Sequence, residues 1–300
     1  MTTAAPTPSS TYLSLPEIPS FLRKIIAPFP LIAYPAALPP HKQRVTEPTL
    51  WIHPPLDQKD LLSSDVECLK WQTHLALRGL KNIGVRWDIV AEGALGGRLP
   101  NLQIPSLLAG DGDGELLAVH NIPTWILERV GEQGELDGYK DVLHRDESLA
   151  WVALLEGDVH AALILAQPLP SFFRQTILQL PPSQNAQSLE SLLTPPPAPS
   201  SGITSFIPPF GSRIPVQAIR ARYREAIASL GERLGTDKWF LGSQEPTALD
   251  ALAFAYLHIL LNSSDDLRIE VARRVNLVSW EKRVYELVRG AFVSHYEHAW

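Results

Sequence analysis

Cysteine is almost missing from this chain: Cys68 is the only one among 300 residues. A single thiol excludes an intramolecular disulfide framework and fits a reducing compartment. Positive charge in excess is missing too. The formal net charge is -6, and no clustered basic face of the kind that grips a phosphate backbone stands out, so nucleic acid is not an expected partner. No stretch supplies the roughly 20 uninterrupted apolar residues that a membrane-spanning helix needs. The most apolar run near the start, "FLRKIIAPFPLIAYPAALPP", is broken by Arg23, Lys24 and prolines at 28, 30, 35, 39 and 40. A charged segment leading into an apolar one, as in a secretory signal, is not found. The first sixteen residues hold no acid, but they also lack the arginines of a mitochondrial presequence. The expectation is a chain made and kept on the cytosolic side.

What the sequence does have is apolar bulk and unevenly placed proline. Hydrophobic residues make up 45% of the chain, enough for a sizeable core, and its length suggests two packed units plus linkers. Of the 27 prolines, twelve fall in residues 1–55 and eleven in 168–215. Regular elements are therefore expected between and after these segments. The division is a proline-rich apolar tail over 1–48, a folded unit over 49–132, and a second unit over 139–300 with a proline-rich insertion at about 168–215.

In the first unit "TLWIH" (49–53) reads as a strand ended by Pro54-Pro55. "SSDVECLKWQTHLALRGL" follows as a helix with Ser64 as candidate cap, closed by Gly79 and "KNIG". "VRWDIVA" (85–91) alternates as a strand. After a glycine-rich loop, "LQIPSLLA" and "GELLAV" read as two strands joined by the turn "GDGDG". "NIPTWILERVG" is a short helix with Pro123 in its first turn, where a missing N–H costs little. From Tyr139 on, only helices are expected. The best marked begins at "TALD": Thr247 and Asp250 form a capping box, followed by an apolar stripe of Leu249, Leu252, Ala253, Tyr256, Leu257, Leu260 and Leu261.

Motifs for chemistry are few. The segment starting at Asp111 has the acid spacing of a calcium loop, but Leu116 stands at the turn position and Ile122 where the bidentate glutamate belongs. "GALGGR" lacks the Gly-Lys-Ser/Thr of a P-loop. The nine histidines are scattered, and His295 and His298 read as solvated polar residues. No metal site, no cofactor and no catalytic residue is therefore assigned, and Thr247 and Asp250 are given a structural role.

The βαβ-ββα unit followed by helices resembles the glutathione-transferase fold, a thioredoxin-like N-terminal domain with an all-helical C-terminal domain. "KWFLGSQEPTALDALAFAYL" resembles that family's Phe-Leu-Gly, short loop and Ser/Thr-x-x-Asp box, and Pro105 in "QIPSLL" resembles its cis-proline. The proline-rich insertion, the tail and the wording of "DVECLKWQTHLALRGL" resemble the metaxins, in particular the smaller metaxin-like subunit of the fungal mitochondrial sorting and assembly machinery. The likeness spans about residues 49–297. For an active transferase it implies a hydroxyl or thiol near the first helix, for which Ser63, Ser64 and Cys68 are available by type. It also implies a Glu-Ser pair after the fourth strand, but "LLAVHNIP" places Val119 and His120 there, or His120 and Asn121. Without that carboxylate the ammonium of glutathione would be buried unpaired.

The metaxin likeness implies a non-enzymatic peripheral subunit on the cytosolic face of the mitochondrial outer membrane. Its partners would be the β-barrel core subunit, a second metaxin-like subunit and β-barrel precursors. The tail itself is too rich in proline for a long helix and too apolar to stay solvated, so it is expected to pack over the protein's own domains or to dock on a partner or a membrane surface, with Phe21, Leu22, Ile25, Ile26, Phe29 and Leu31 as the candidate partner-binding residues. The alternatives are a glutathione-dependent enzyme and a transferase-like interaction module of another complex.

Overall fold

A computed structural model describes residues 46–55, 57, 60–89, 91–105, 114–131, 136–166 and 215–294. The candidate residues Phe21, Leu22, Ile25, Ile26, Phe29 and Leu31, residues 111–113 of the calcium-loop-like segment, the centre of the insertion, and His295 and His298 lie outside these ranges.

β-prone triplets and quartets build a small mixed sheet: β1 (Thr49–Trp51), β2 (Ile83–Arg86), β3 (Asn101–Ile104) and β4 (Glu115–Leu117). β1 pairs in parallel with β2 and antiparallel with β3, and β3 pairs antiparallel with β4. The expected β-α-β-loop-β-β-α order holds, with shifted edges. β2 starts at Ile83, two residues before the expected strand, and ends at Arg86. Asn82, at φ 58, turns the chain into it.

Helix α1 (Val66–Leu77) links β1 to β2 and is capped by Asp65, not Ser64. The Asp65 carboxylate accepts from the Cys68 N–H at 2.9 Å, while the Ser64 hydroxyl donates to the Pro54 carbonyl. Gly79, at φ +80, ends the helix in the left-handed region that glycine enters without penalty. After β4 comes α2 (Ile122–Val130), with Pro123 at its start as expected.

The proline expectation needs correction. The cis peptide is Leu99–Pro100, leading into β3, whereas Pro105 follows β3 and its bond is not cis. Both prolines flank the same strand, and proline chemistry alone does not distinguish them.

The second unit holds α3 (Val142–Leu154), a π turn (Leu155–Val159) and α4 (His160–Ala166), then α5 (Val216–Leu234), α6 (Ala248–Leu261), α7 (Asp265–Ala272) and α8 (Val275–Arg289). The expectation of helices alone from Tyr139 onward fails at its end. Phe292–Ser294 forms β5, which adds to the N-terminal sheet in parallel beside β2, giving the order β4-β3-β1-β2-β5.

Val142–Ala166 runs as one helix of 25 residues, long and apolar enough by composition to cross a membrane. Glu156 and Asp158 lie within it, Asp158 stands 3.7 Å from Arg222 of α5, and Leu155, Val159 and Leu163 are buried in the core. Glu147 of α3 accepts both Nε–H and Nη–H of Arg233 on α5, at 2.6 and 2.9 Å, a bidentate clamp that holds its carboxyl down at about 2.

Helix α6 is the centre of the molecule. Every residue from Leu249 to Leu260 is buried, so the expected stripe is instead an apolar cylinder. The sheet-side helix α1 packs on one flank of it, and α3, α7 and α8 pack on others. The expected capping box forms: Thr247 Oγ1 accepts from the Asp250 N–H, and Asp250 accepts from the Thr247 N–H.

Candidate functional site

Three places could carry ligand chemistry. The first is the start of α1, where Ser63, Ser64 and Cys68 were the available hydroxyls and thiol. The fold brings all three together with His53, which follows β1. Each already has its own structural engagement. Ser63 Oγ donates to the His53 carbonyl at 3.0 Å and accepts from the Asp65 N–H at 3.2 Å. Ser64 Oγ donates to the Pro54 carbonyl at 2.6 Å. Cys68 is fully buried, and burial, followed by the Asp65 charge, pushes its thiol well above the usual range. A nucleophile or thiolate activator needs the opposite environment, electropositive and open.

This environment makes a testable difference. Cys68 of the native protein should react with iodoacetamide on the order of 100-fold more slowly than in denaturant, since the thiolate is the reacting species. Mass spectrometry of timed aliquots would check it; comparable rates in the two states would refute a buried, protonated thiol.

The second place follows β4. Here Val119–Asn121 forms a single tight turn running directly into α2. Val119 is half-buried, His120 and Asn121 are exposed, and Asn121 makes no side-chain cap to the helix. No carboxylate stands in this turn, as the sequence led one to expect.

The third is a groove of about 400 Å³ between α1, α3 and α6, lined in part by Trp71, His74, Arg145, Leu149 and Leu252. Burial, with smaller pushes from Arg78 and Lys70, drives His74 down to about 4, so it faces the groove as a neutral imidazole at physiological pH. Trp71 meets it edge-on, with ring centroids 5.8 Å apart. Sequence periodicity did not single out this groove, because its lining comes from three helices far apart in the chain. Along α3, Val142, Leu143 and Leu149 are 60%, 78% and 66% exposed.

The expected structural residue Asp250 does more than cap. Its carboxylate accepts from the Thr247 N–H, the Thr247 hydroxyl and, ten residues upstream, the Phe240 N–H, each at 2.8 Å. The turn it holds contains Leu241 at φ 62, a left-handed conformation that a leucine adopts only when its surroundings impose it. Asp250 is wholly buried, and its three hydrogen bonds hold the turn to the helix start, a structural role.

Residues 223–284 match the family model of the glutathione S-transferase C-terminal domain. No curated protein matches the chain. Among solved structures it is similar to a GST-like protein from Pseudomonas syringae, at 13% identity and a TM-score of 0.47, over 83% of this chain and 70% of that one. It is also similar to FzlA from C. crescentus, at 13% identity and a TM-score of 0.46, over 79% and 87%. A glutathione S-transferase from Methylobacterium radiotolerans in complex with glutathione sulfonate aligns at 14% identity and a TM-score of 0.45, over 85% and 100%. With its mixed sheet, its helical second unit and the match over 223–284, the chain has a glutathione-transferase-like fold.

Proposed function

We propose that this chain is a non-enzymatic docking subunit. It sits on the cytosolic face of the mitochondrial outer membrane, binds the β-barrel core subunit of the sorting and assembly machinery beside a second metaxin-like subunit, and helps receive and insert β-barrel precursors. The observation that carries the non-enzymatic part is the state of the α1 terminus. Both serine hydroxyls donate to backbone carbonyls, and the thiol beside them is buried and held protonated. The turn after β4 adds a second argument, because it has no carboxylate to meet the ammonium of glutathione. The metaxin-like wording of the sequence supplies the assembly, and the exposed apolar side of α3 supplies a surface suited to partners rather than to water.

The test uses isolated mitochondria. The protein should stay with membranes through a salt wash, leave them in alkaline carbonate, and co-migrate with the barrel subunit on a native gel. Deleting residues 1–48 should loosen the association. A freely soluble protein that never enters such a complex would sink the reading. So would retention on glutathione resin together with turnover of a model electrophile that is lost on Ser63→Ala or Ser64→Ala.

A further inference from the structure

His53, Asp65 and Cys68 each offer one ligand atom, and those atoms all lie within 4.8 Å of one another. Among the described residues this is the one group of three or more His, Cys, Asp or Glu side chains so placed. Two segments build it: His53 stands beyond β1, while Asp65 and Cys68 occupy the cap and third positions of α1, three residues apart and on one side of the first turn. From the geometry we infer that these three side chains form a zinc site that pins the end of β1 to the start of α1.

The donor set is that of zinc. One thiolate, one imidazole and one carboxylate are a borderline-soft mixture that suits Zn²⁺, and hard cations such as Mg²⁺ or Ca²⁺ take oxygen ligands instead. Ligand atoms around a tetrahedral zinc, at bond lengths of roughly 2.0–2.3 Å, stand about 3.3–3.8 Å apart. The observed group, within 4.8 Å, needs to contract by at most about 1.5 Å, which side-chain rotation supplies.

Asp65 has an oxygen to give. Its Oδ2 accepts from the Cys68 N–H as the helix cap, and the same carboxylate is within hydrogen-bonding reach of the Cys68 thiol, where a shared ion would stand. Ser63 supports the arrangement from outside, donating to the His53 carbonyl and accepting from the Asp65 N–H, so the two ligand-bearing segments are already tied together. Cys68 is buried, but His53 and Asp65 are only half-buried, so the ion enters from their side and keeps water in its fourth position. On binding, the Cys68 S–H bond breaks, sulfur takes its place on the metal, and the proton passes to buffer.

The full chain is first stripped with a chelator, incubated with zinc, passed through gel filtration and assayed for metal. One equivalent is expected, together with a rise in melting temperature. Cobalt(II) in place of zinc should give a thiolate-to-metal charge-transfer band that Cys68→Ser abolishes and His53→Ala weakens. Asp65→Asn keeps the helix cap, because asparagine caps as well as aspartate. It should nonetheless lower affinity by at least the ~10–100-fold that loss of even an outer partner of a metal ligand costs. Sub-stoichiometric zinc in the wild type would overturn the site. A charge-transfer band that survives Cys68→Ser, or equal uptake by wild type and His53→Ala, would do the same.

Discussion

Asp250→Ala should lower the stability of this protein by about 3–5 kcal/mol, among the largest effects of any single substitution in it. The substitution strips the partner from two buried N–H groups, those of Phe240 and Thr247, and from the Thr247 hydroxyl. Each orphaned buried donor costs ~1–3 kcal/mol, because neither water nor another acceptor reaches it. The loss also frees the turn through Leu241, whose left-handed backbone then has one fewer restraint. Thr247→Ala, by contrast, should cost only about 1 kcal/mol, the usual worth of a cap. Thermal unfolding would separate the two, with a fall of roughly 6–15 °C for the aspartate variant.

Asp250 adds a pH signature to this comparison. Burial pushes its carboxyl up to about 6, against the opposing pull of the Phe240 and Thr247 donors. The folded state therefore keeps a proton that the unfolded chain releases near pH 4. Where the folded state binds more protons than the unfolded one, stability falls as pH rises. The contribution of Asp250 is thus full below about pH 4 and declines until about pH 6. Asp250→Asn cannot titrate, so its deficit relative to wild type should be greatest near pH 4 and shrink toward pH 7. A deficit that grows with pH would mean that the three donors outweigh burial.

How much of this was readable beforehand depends on sequence distance. The capping box was legible because Thr247 and Asp250 are three residues apart and local spacing defines it. The third hydrogen bond of Asp250, to Phe240, was not, since it depends on how a separate turn folds back. Helix α1 was legible from its period, but Ser64 and Asp65 are both good cap formers, and only backbone geometry selects Asp65. β5 was hidden for a different reason. Phe292–Ser294 is only three residues long, and its partner β2 lies some two hundred positions earlier, so no local pattern reports the pairing. The candidate chemistry at the α1 terminus divided the same way. Ser63, Ser64 and Cys68 were visible by type, but their engagement, and the approach of His53 to Cys68, are matters of packing.

The pairing of His258 with Glu281 is a second non-local feature, and it carries the other large effect. These residues are 23 positions apart, on α6 and α8, and His258 Nδ1 lies 2.7 Å from Glu281 Oε1 with both side chains about nine-tenths buried. The imidazole is also stacked between Phe254 and Tyr285, at centroid distances of 5.4 and 5.5 Å. Glu281→Ala should cost about 2–4 kcal/mol, because it leaves a buried ring N–H without an acceptor in a place that cannot admit water freely. Glu281→Gln retains an acceptor oxygen and should recover more than half of that loss. The double variant His258→Phe/Glu281→Leu removes both polar partners and keeps a ring between Phe254 and Tyr285, so its stability should return close to wild type. Urea midpoints for the two single variants and the double variant close the cycle. Strictly additive losses would show that the pair is two independent packing contacts and not one hydrogen-bonded unit joining the central helix to α8.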